Sequence, residues 1–183
     1  MKCFSMVLAS VAAGLMTQAS AAEFKSGLQA GDYPGAFHVM DVTGPFAGEN
    51  LCYRCEYGAR PVVSIFARKM DENVHKLVKK IDEVVGKNKE QRMAAFVVLL
   101  TDQPKEQTEP LSAAAKEYKI THTPLTTYRT ANGPAKYRIH EDADVTVVMW
   151  VENDVKVNHA FQKGKLDAAA INKVVADTSS ILN

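Results

Sequence analysis

Residues 62–100 read VVSIFARKMDENVHKLVKKIDEVVGKNKEQRMAAFVVLL, and this stretch decides the fold. Its two ends, Val62–Ala67 and Ala94–Leu100, are short and almost continuously apolar, as expected of strands buried on both faces of a sheet. Between them, Asp71 begins a segment in which apolar residues recur every three or four positions, and Gly86 is a stop signal. Two buried strands joined by a helix predict a right-handed β–α–β unit with parallel strands.

The sequence on either side of this unit contains further strand and helix patterns. The strand segments are Phe37–Val42, a weaker Leu125–Tyr128, Val145–Val151 and its hairpin partner Val155–Phe161. The helices are the Ala-rich Leu111–Tyr118 and a C-terminal segment between Asp167 and Leu182, with Asp167 as its N-cap. We therefore expect an α/β fold: a central, mostly parallel sheet with an antiparallel C-terminal hairpin and flanking helices.

The composition indicates an ordinary globular domain. The chain has 183 residues, 46% of them hydrophobic and 23% charged, with a formal net charge of +1. A disordered chain would have fewer apolar residues and more charge of one sign, and a nucleic-acid-binding domain would have a strong basic excess. We expect one domain and no nucleic-acid partner.

The first 22 residues have the features of a secretory signal peptide. Lys2 precedes a mostly apolar stretch, and Ala19-Ser20-Ala21 is a small-x-small cleavage pattern. The predicted organisation is a signal peptide over 1–22 and a single domain over 23–183, exported to a periplasm or to the outside, with no membrane attachment after cleavage. An uncleaved N-terminal anchor is the alternative. Cleavage removes Cys3, so the mature chain retains two of the three cysteines.

Three stretches, together with the order of the elements, resemble a known superfamily. They are FHVMDVTG at 37–44, YGARPVVSIF at 57–66 and PAKYRI at 134–139. The layout is similar to the thioredoxin-like superfamily, in particular its redoxin branch of peroxiredoxins and periplasmic thiol-disulfide oxidoreductases. The resemblance covers roughly Asp32 to Leu182. It implies a thioredoxin-like fold and, as an expectation, chemistry on a protein thiol or disulfide substrate.

The sequence departs from this family at two informative positions. The family's reactive cysteine follows the first core strand, where this chain has Ala67-Arg68-Lys69-Met70-Asp71, without cysteine or serine. The family's oxidoreductases also have a cis-proline before the hairpin strand, where Asp142-Ala143-Asp144-Val145-Thr146 contains no proline. The family's usual catalytic residues therefore have no counterparts here.

The candidate site is the pair Cys52 and Cys55 in Cys52-Tyr53-Arg54-Cys55. Two cysteines at this spacing can form a reversible disulfide, and the thiolate is the reactive form. By analogy with the family, Cys52 is our slight preference as the attacking cysteine. Arg54 would favour the thiolate, and Tyr53 would shape access to the sulfurs.

The residues that follow the pair indicate its local structure and its position relative to the sheet. Gly58 and Pro61 follow within six residues of Cys55 and leave little room for a helix. Because the pair precedes the first core strand, we expect it at the edge of the sheet opposite the family's active site.

Three interpretations of the pair stay open: a redox-active dithiol, a structural disulfide, and metal binding through two thiolates and a histidine. A disulfide closing so short a loop stabilises by only about 2 kcal/mol. One CxxC is half of a structural zinc set, and the histidines are scattered, with His75 expected to be solvated. We therefore expect no cofactor and no metal. The sequence favours an exported, redoxin-like candidate thiol-disulfide oxidoreductase; the alternative is a non-catalytic binding or interaction scaffold with a structural disulfide.

Overall fold

The computed structural model describes residues 24–182, so the predicted signal peptide, Met1–Ala22, lies outside the described residues. Within them the chain forms seven strands and four α-helices. The strands are β1 Val39–Asp41, β2 Asn50–Leu51, β3 Val62–Ala67, β4 Ala94–Leu100, β5 Leu125–Tyr128, β6 Ala143–Val151 and β7 Asp154–Gln162. The helices are α1 Tyr53–Tyr57, α2 Glu72–Lys87, α3 Thr108–Glu117 and α4 Ala168–Asp177, with short 3₁₀ turns at Pro104–Gln107, Ala135–Tyr137 and Thr178–Ile181.

One seven-stranded sheet has the order β2-β1-β5-β4-β3-β6-β7. Its centre is parallel, because β3 pairs with β4 and β4 pairs with β5 in that sense. Antiparallel strands flank this centre: β6 and β7 on one side, and β1 and β2 on the other. The predicted α/β fold with a C-terminal hairpin is confirmed. The sheet has more antiparallel pairing than the sequence suggested because β1 and β2 form a second hairpin at the far edge.

Helices α2, α3 and α4 cover one face of the sheet. The apolar side chains of α2, including Leu77 and Ile81, are fully buried against alternate residues of the central strands. The predicted N-cap Asp167 is confirmed, since its side chain accepts a hydrogen bond from the Ala170 amide at 2.8 Å. Asp71, where the sequence predicted α2 to begin, also caps its helix by accepting one from the Val74 amide at 3.0 Å. The α2 helix runs to Lys87, one residue beyond the predicted stop.

The opposite face has no long helix, and aromatic side chains fill the space instead. Phe66, Phe96 and Trp150 point from β3, β4 and β6 into this layer, where rings from α1 and the loops pack on them. Because aromatic residues bury large areas, the short helix α1, the 3₁₀ turn Ala135–Tyr137 and loop residues suffice to cover this face. No helix of residues 24–182 is long and apolar enough to cross a membrane.

Candidate functional site

Cys52 and Cys55 lie at the start of α1, between β2 and β3. A short helix forms here, although Gly58 and Pro61 were expected to leave little room for one. Cys52 is the N-cap of a five-residue helix, which ends where Gly58 adopts a φ of 58° and donates its amide to the Arg54 carbonyl at 3.1 Å. A positive φ is easily reached by glycine, so the chain leaves the helix in one residue and enters β3 at Val62.

The two cysteines form a disulfide, with their Cα atoms 5.2 Å apart. Their surroundings differ: Cys52 is only 9% exposed, whereas Cys55 is exposed. The Cys55 amide also donates a hydrogen bond to the Cys52 Sγ at 3.1 Å. Among residues 24–182, no group of three or more His, Cys, Asp or Glu side chains is placed to hold a metal ion.

The two cysteines therefore differ in what surrounds them. Cys55 is the more accessible residue of the two. A hydrogen bond donated to a sulfur favours its thiolate form, and here Cys52 receives it. The expected preference for Cys52 as the attacking cysteine stays a prediction. The difference in exposure could not be read from the four-residue motif.

The prediction that Tyr53 shapes access to the sulfurs is wrong. Tyr53 is 1% exposed, and its ring stacks on Phe96 with centroids 5.5 Å apart. Its hydroxyl donates to the buried carboxylate of Asp41 at 2.7 Å. Burial, followed by this hydrogen bond and the charge of Asp41, raises the pKa of Tyr53 far above its usual range. Tyr53 therefore anchors α1 to the core as a neutral phenol.

Asp41 is a structural residue that sequence reasoning missed. Besides the Tyr53 hydroxyl, its carboxylate accepts the backbone amides of Gly44 at 2.8 Å and Phe46 at 2.9 Å. It thereby holds together the turn between β1 and β2 and the first residue of α1. The Asp-x-x-Gly pattern of a side-chain-capped turn was the available signal, but nothing local connected it to the cysteines.

The Arg54 side chain binds groups other than the cysteines. Its guanidinium donates to the Pro34 carbonyl at 2.7 Å, to Asn153 Oδ1 at 2.8 Å and to the Tyr33 hydroxyl, and it lies 4.7 Å from the centroid of the Tyr33 ring. These contacts tie α1 to the N-terminal segment and to the turn between β6 and β7. None of its hydrogen bonds reaches a sulfur, so a thiolate-favouring effect of its charge stays a prediction.

The chain leads from the pair through Ala59 and Pro61 into the amino end of β3. The residues between α1 and β3 bind the β6–β7 turn through the Glu152 amide, which donates to the Ala59 carbonyl at 2.8 Å. The Ala94 amide, at the start of β4, donates to Pro61 at 2.9 Å. Because β3 and β4 are parallel, both begin at this end, opposite the end where the family's reactive cysteine would stand.

At that opposite, carboxyl end of β3, Arg68 follows the strand. Its side chain donates to three backbone carbonyls: Ala143 at 2.9 Å, Ala131 at 2.5 Å and His140 at 3.0 Å. Its amide donates to the Asp144 carbonyl at 3.0 Å. The position where the family's reactive cysteine was expected to be missing thus holds a structural arginine. The described part of the chain also contains no cis peptide bond.

Comparisons with known proteins agree with this architecture. Neither a protein-family profile nor a curated protein matches the sequence. The chain is similar to a candidate protein disulfide isomerase from Bacteroides thetaiotaomicron, with 18% identity, a TM-score of 0.65, and coverage of 87% of this chain and 94% of that one. It is also similar to the peroxidoxin BcpB from Mycobacterium tuberculosis, with 17% identity, a TM-score of 0.60 and coverage of 85% and 99%.

A third similar structure is the thioredoxin domain of a thiol-disulfide oxidoreductase from Bacteroides vulgatus, with 13% identity, a TM-score of 0.58 and coverage of 81% and 99%. At these identities the likeness concerns the fold. Together with the sheet order, this likeness shows that the chain has a thioredoxin-like fold. Within that fold the chain contains one CxxC disulfide, Cys52–Cys55.

Proposed function

We propose that this chain is an exported thiol-disulfide oxidoreductase in which Cys52 and Cys55 cycle between a disulfide and a dithiol. The observation that carries the proposal is the asymmetry of the pair. One cysteine is exposed, and the other is 9% exposed with a backbone amide directed at its sulfur. Such a pair has one sulfur for a partner to reach and one sulfur suited to leave as a thiolate.

In the oxidising direction, a substrate thiolate attacks the Cys55 Sγ and forms a mixed disulfide. The Cys52–Cys55 bond breaks, and its electron pair leaves on Cys52 as a thiolate, which the Cys55 amide hydrogen bond favours. A second substrate thiolate then attacks the substrate sulfur of the mixed disulfide and releases Cys55. The substrate loses two electrons and becomes a disulfide, and the protein gains them as a dithiol.

In the reducing direction, the Cys55 thiolate attacks a substrate disulfide and Cys52 resolves the mixed disulfide. Either direction takes a protein thiol or disulfide as its partner. Export is supported by the signal-peptide pattern over 1–22 and by the disulfide itself, since such bonds persist in oxidising compartments. The compartment in this proposal is a periplasm or the extracellular space.

The test is to trap the mixed disulfide with matched single variants. In the reduced Cys52→Ser protein, Cys55 should attack an oxidised substrate such as insulin and stay linked to it, because no resolving thiol is left. The Cys55→Ser protein should capture little, because its remaining cysteine is buried. Equal capture by both variants would refute the assigned roles, and no capture by either would refute the redox function.

The alternative is a binding scaffold in which the disulfide is structural. It is favoured by one observation: the residues between the cysteines, Tyr53 and Arg54, are used to anchor α1 rather than to form a substrate surface. The reduction potential separates the two functions. A value below about −300 mV, with no insulin reduction by the wild-type protein, would support the scaffold, because structural disulfides lie in that range.

A further inference from the structure

A groove with a volume of about 780 Å³ lies at the carboxyl end of β5. Volumes of this size are typical of small-molecule sites. Its apolar lining includes Phe37, Met40 and Tyr128, and Pro104 and Pro134 stand on its walls. Neither cysteine is among the residues that line the groove, although Asn50 of β2, two residues before Cys52, contributes to it.

The charged residues that line this groove are all cationic. Lys105 comes from the 3₁₀ turn before α3, Arg129 directly follows β5, and Lys136 lies on the 3₁₀ turn Ala135–Tyr137. All three are exposed, and none of their charged groups forms a hydrogen bond or ion pair with another residue of 24–182. Of the described residues, no aspartate or glutamate lines the groove; Glu106 is adjacent to Lys105 in sequence but is not part of the lining.

The walls of the groove are held in place by contacts that belong to the fold. Arg68 binds the carbonyls of Ala131 and His140, which bracket the wall segment containing Lys136. The Tyr137 hydroxyl donates to the Gly35 carbonyl at 3.0 Å and so ties that segment to the residues preceding β1. A site whose walls are fixed before binding loses less conformational entropy when a ligand enters.

A buried polar group at the groove also lacks a partner. Thr127 is 1% exposed and contributes to the lining, and its hydroxyl has no hydrogen-bond partner within the described chain. An unpaired buried hydroxyl is destabilising, and such groups in native structures are commonly satisfied by a ligand or water.

We propose that this groove binds a small organic anion, with an acidic group held by Arg129, Lys136 and Lys105 and an apolar body packed against Phe37 and Met40. Three unpaired cations without a lining carboxylate favour a negative charge, and the apolar floor favours a ligand that is more than an inorganic ion. The proposal does not depend on the redox activity of the cysteines.

The test uses a pair of matched probes: 8-anilinonaphthalene-1-sulfonate, an aromatic anion, and N-phenyl-1-naphthylamine, the same ring system without the sulfonate. The folded wild-type protein should bind the anionic probe saturably at one site and the neutral probe at least about tenfold more weakly, the effect of one charge-assisted hydrogen bond. Equal affinity for both probes, or no saturation below about 1 mM of the anionic one, would overturn the proposal.

Two charge-matched double variants locate the site. Arg129→Gln with Lys136→Gln should weaken binding of the anionic probe by about tenfold or more. Lys163→Gln with Lys165→Gln removes the same charge from exposed positions after β7, at the other edge of the sheet, and should leave binding unchanged. All four side chains are exposed, so both variants should fold, which circular dichroism checks. Equal weakening in both doubles would show a net-charge effect and contradict the assigned site.

Discussion

The two ends of β3 differ in their contacts and in their accessibility. At its carboxyl end, Arg68 stands where the family that the sequence resembles is expected to have its reactive cysteine, and it binds three backbone carbonyls. In the segment that leads into its amino end, Cys52 and Cys55 form a disulfide with one exposed partner. The first end is closed by hydrogen bonds, and the second has the accessible sulfur. Likeness of fold alone therefore does not locate a functional site in this chain, since Arg68 at the family's usual position is structural and the cysteines are elsewhere.

The largest expected effect tests the closed end. Arg68→Gln removes a guanidinium that serves three carbonyls, so we expect the free energy of unfolding to fall by about 3 kcal/mol or more. Urea denaturation measures it. Arg129→Gln, at an exposed arginine without partners in 24–182, is the control and should change stability by less than about 0.5 kcal/mol. Equal effects would show that Arg68 does not hold this end closed.

The next effect tests the disulfide end. Replacing both cysteines by serine should lower the free energy of unfolding by about 2 kcal/mol, because the disulfide closes a very short loop in the unfolded chain. Urea denaturation of this variant and of the reduced wild-type protein should agree. A larger loss of unfolding free energy than in Arg68→Gln would contradict this order and show that the disulfide stabilises the fold more than Arg68 does.

A smaller effect tests how α1 is attached. Tyr53→Phe removes the hydroxyl that donates to Asp41, and we expect a loss of about 1–2 kcal/mol because the buried carboxylate then lacks one donor. Tyr57→Phe is the matched control on the same helix, since no hydrogen bond joins the Tyr57 hydroxyl to another residue of 24–182. If both variants are equally stable, Asp41 does not anchor the cysteine segment.

The two ends of β3 also show which features could be predicted from the sequence and which could not. The strands β3, β4 and β6 and the helices α2 and α4 were predicted because their apolar periodicity is local. The missing cysteine after β3 was also visible. The role of Arg68 was not, because its three acceptors lie 63 to 75 residues away in the chain. Tertiary contacts of that separation leave no pattern in one sequence.

The cysteine motif shows the same limit at short range. Its spacing allowed a disulfide beside metal binding as an open alternative. By contrast, α1, the burial of Tyr53 and the greater exposure of Cys55 all depend on how the segment packs on Phe96. His75 is a further example. It was expected to be solvated, yet it is only partly exposed, its Nε2 is buried without a partner among the described residues, and its ring stacks on Tyr118 with centroids 4.4 Å apart.

The smallest expected effect uses His75, on the α2 helix that follows Arg68. Burial lowers the pKa of His75, and this outweighs the opposing charges of Glu117 and Asp71. The unfolded chain, with a histidine pKa of about 6.5, therefore takes up the proton before the folded chain does. The contribution of His75 to stability is complete above pH 6.5 and is lost as the pH falls from there through the lower pKa of the folded state.

Urea denaturation between about pH 7.5 and 5 measures this dependence. His75→Phe keeps a ring against Tyr118 and removes the titrating group, so its stability should fall less steeply with decreasing pH than that of the wild-type protein. The oxidised cysteines have no proton to exchange, so the disulfide end contributes nothing to the difference between the two slopes. A steeper slope in the variant would mean that the folded state favours the charged imidazole, with Glu117 and Asp71 outweighing burial. Identical slopes would mean that His75 titrates alike in the folded and unfolded chain.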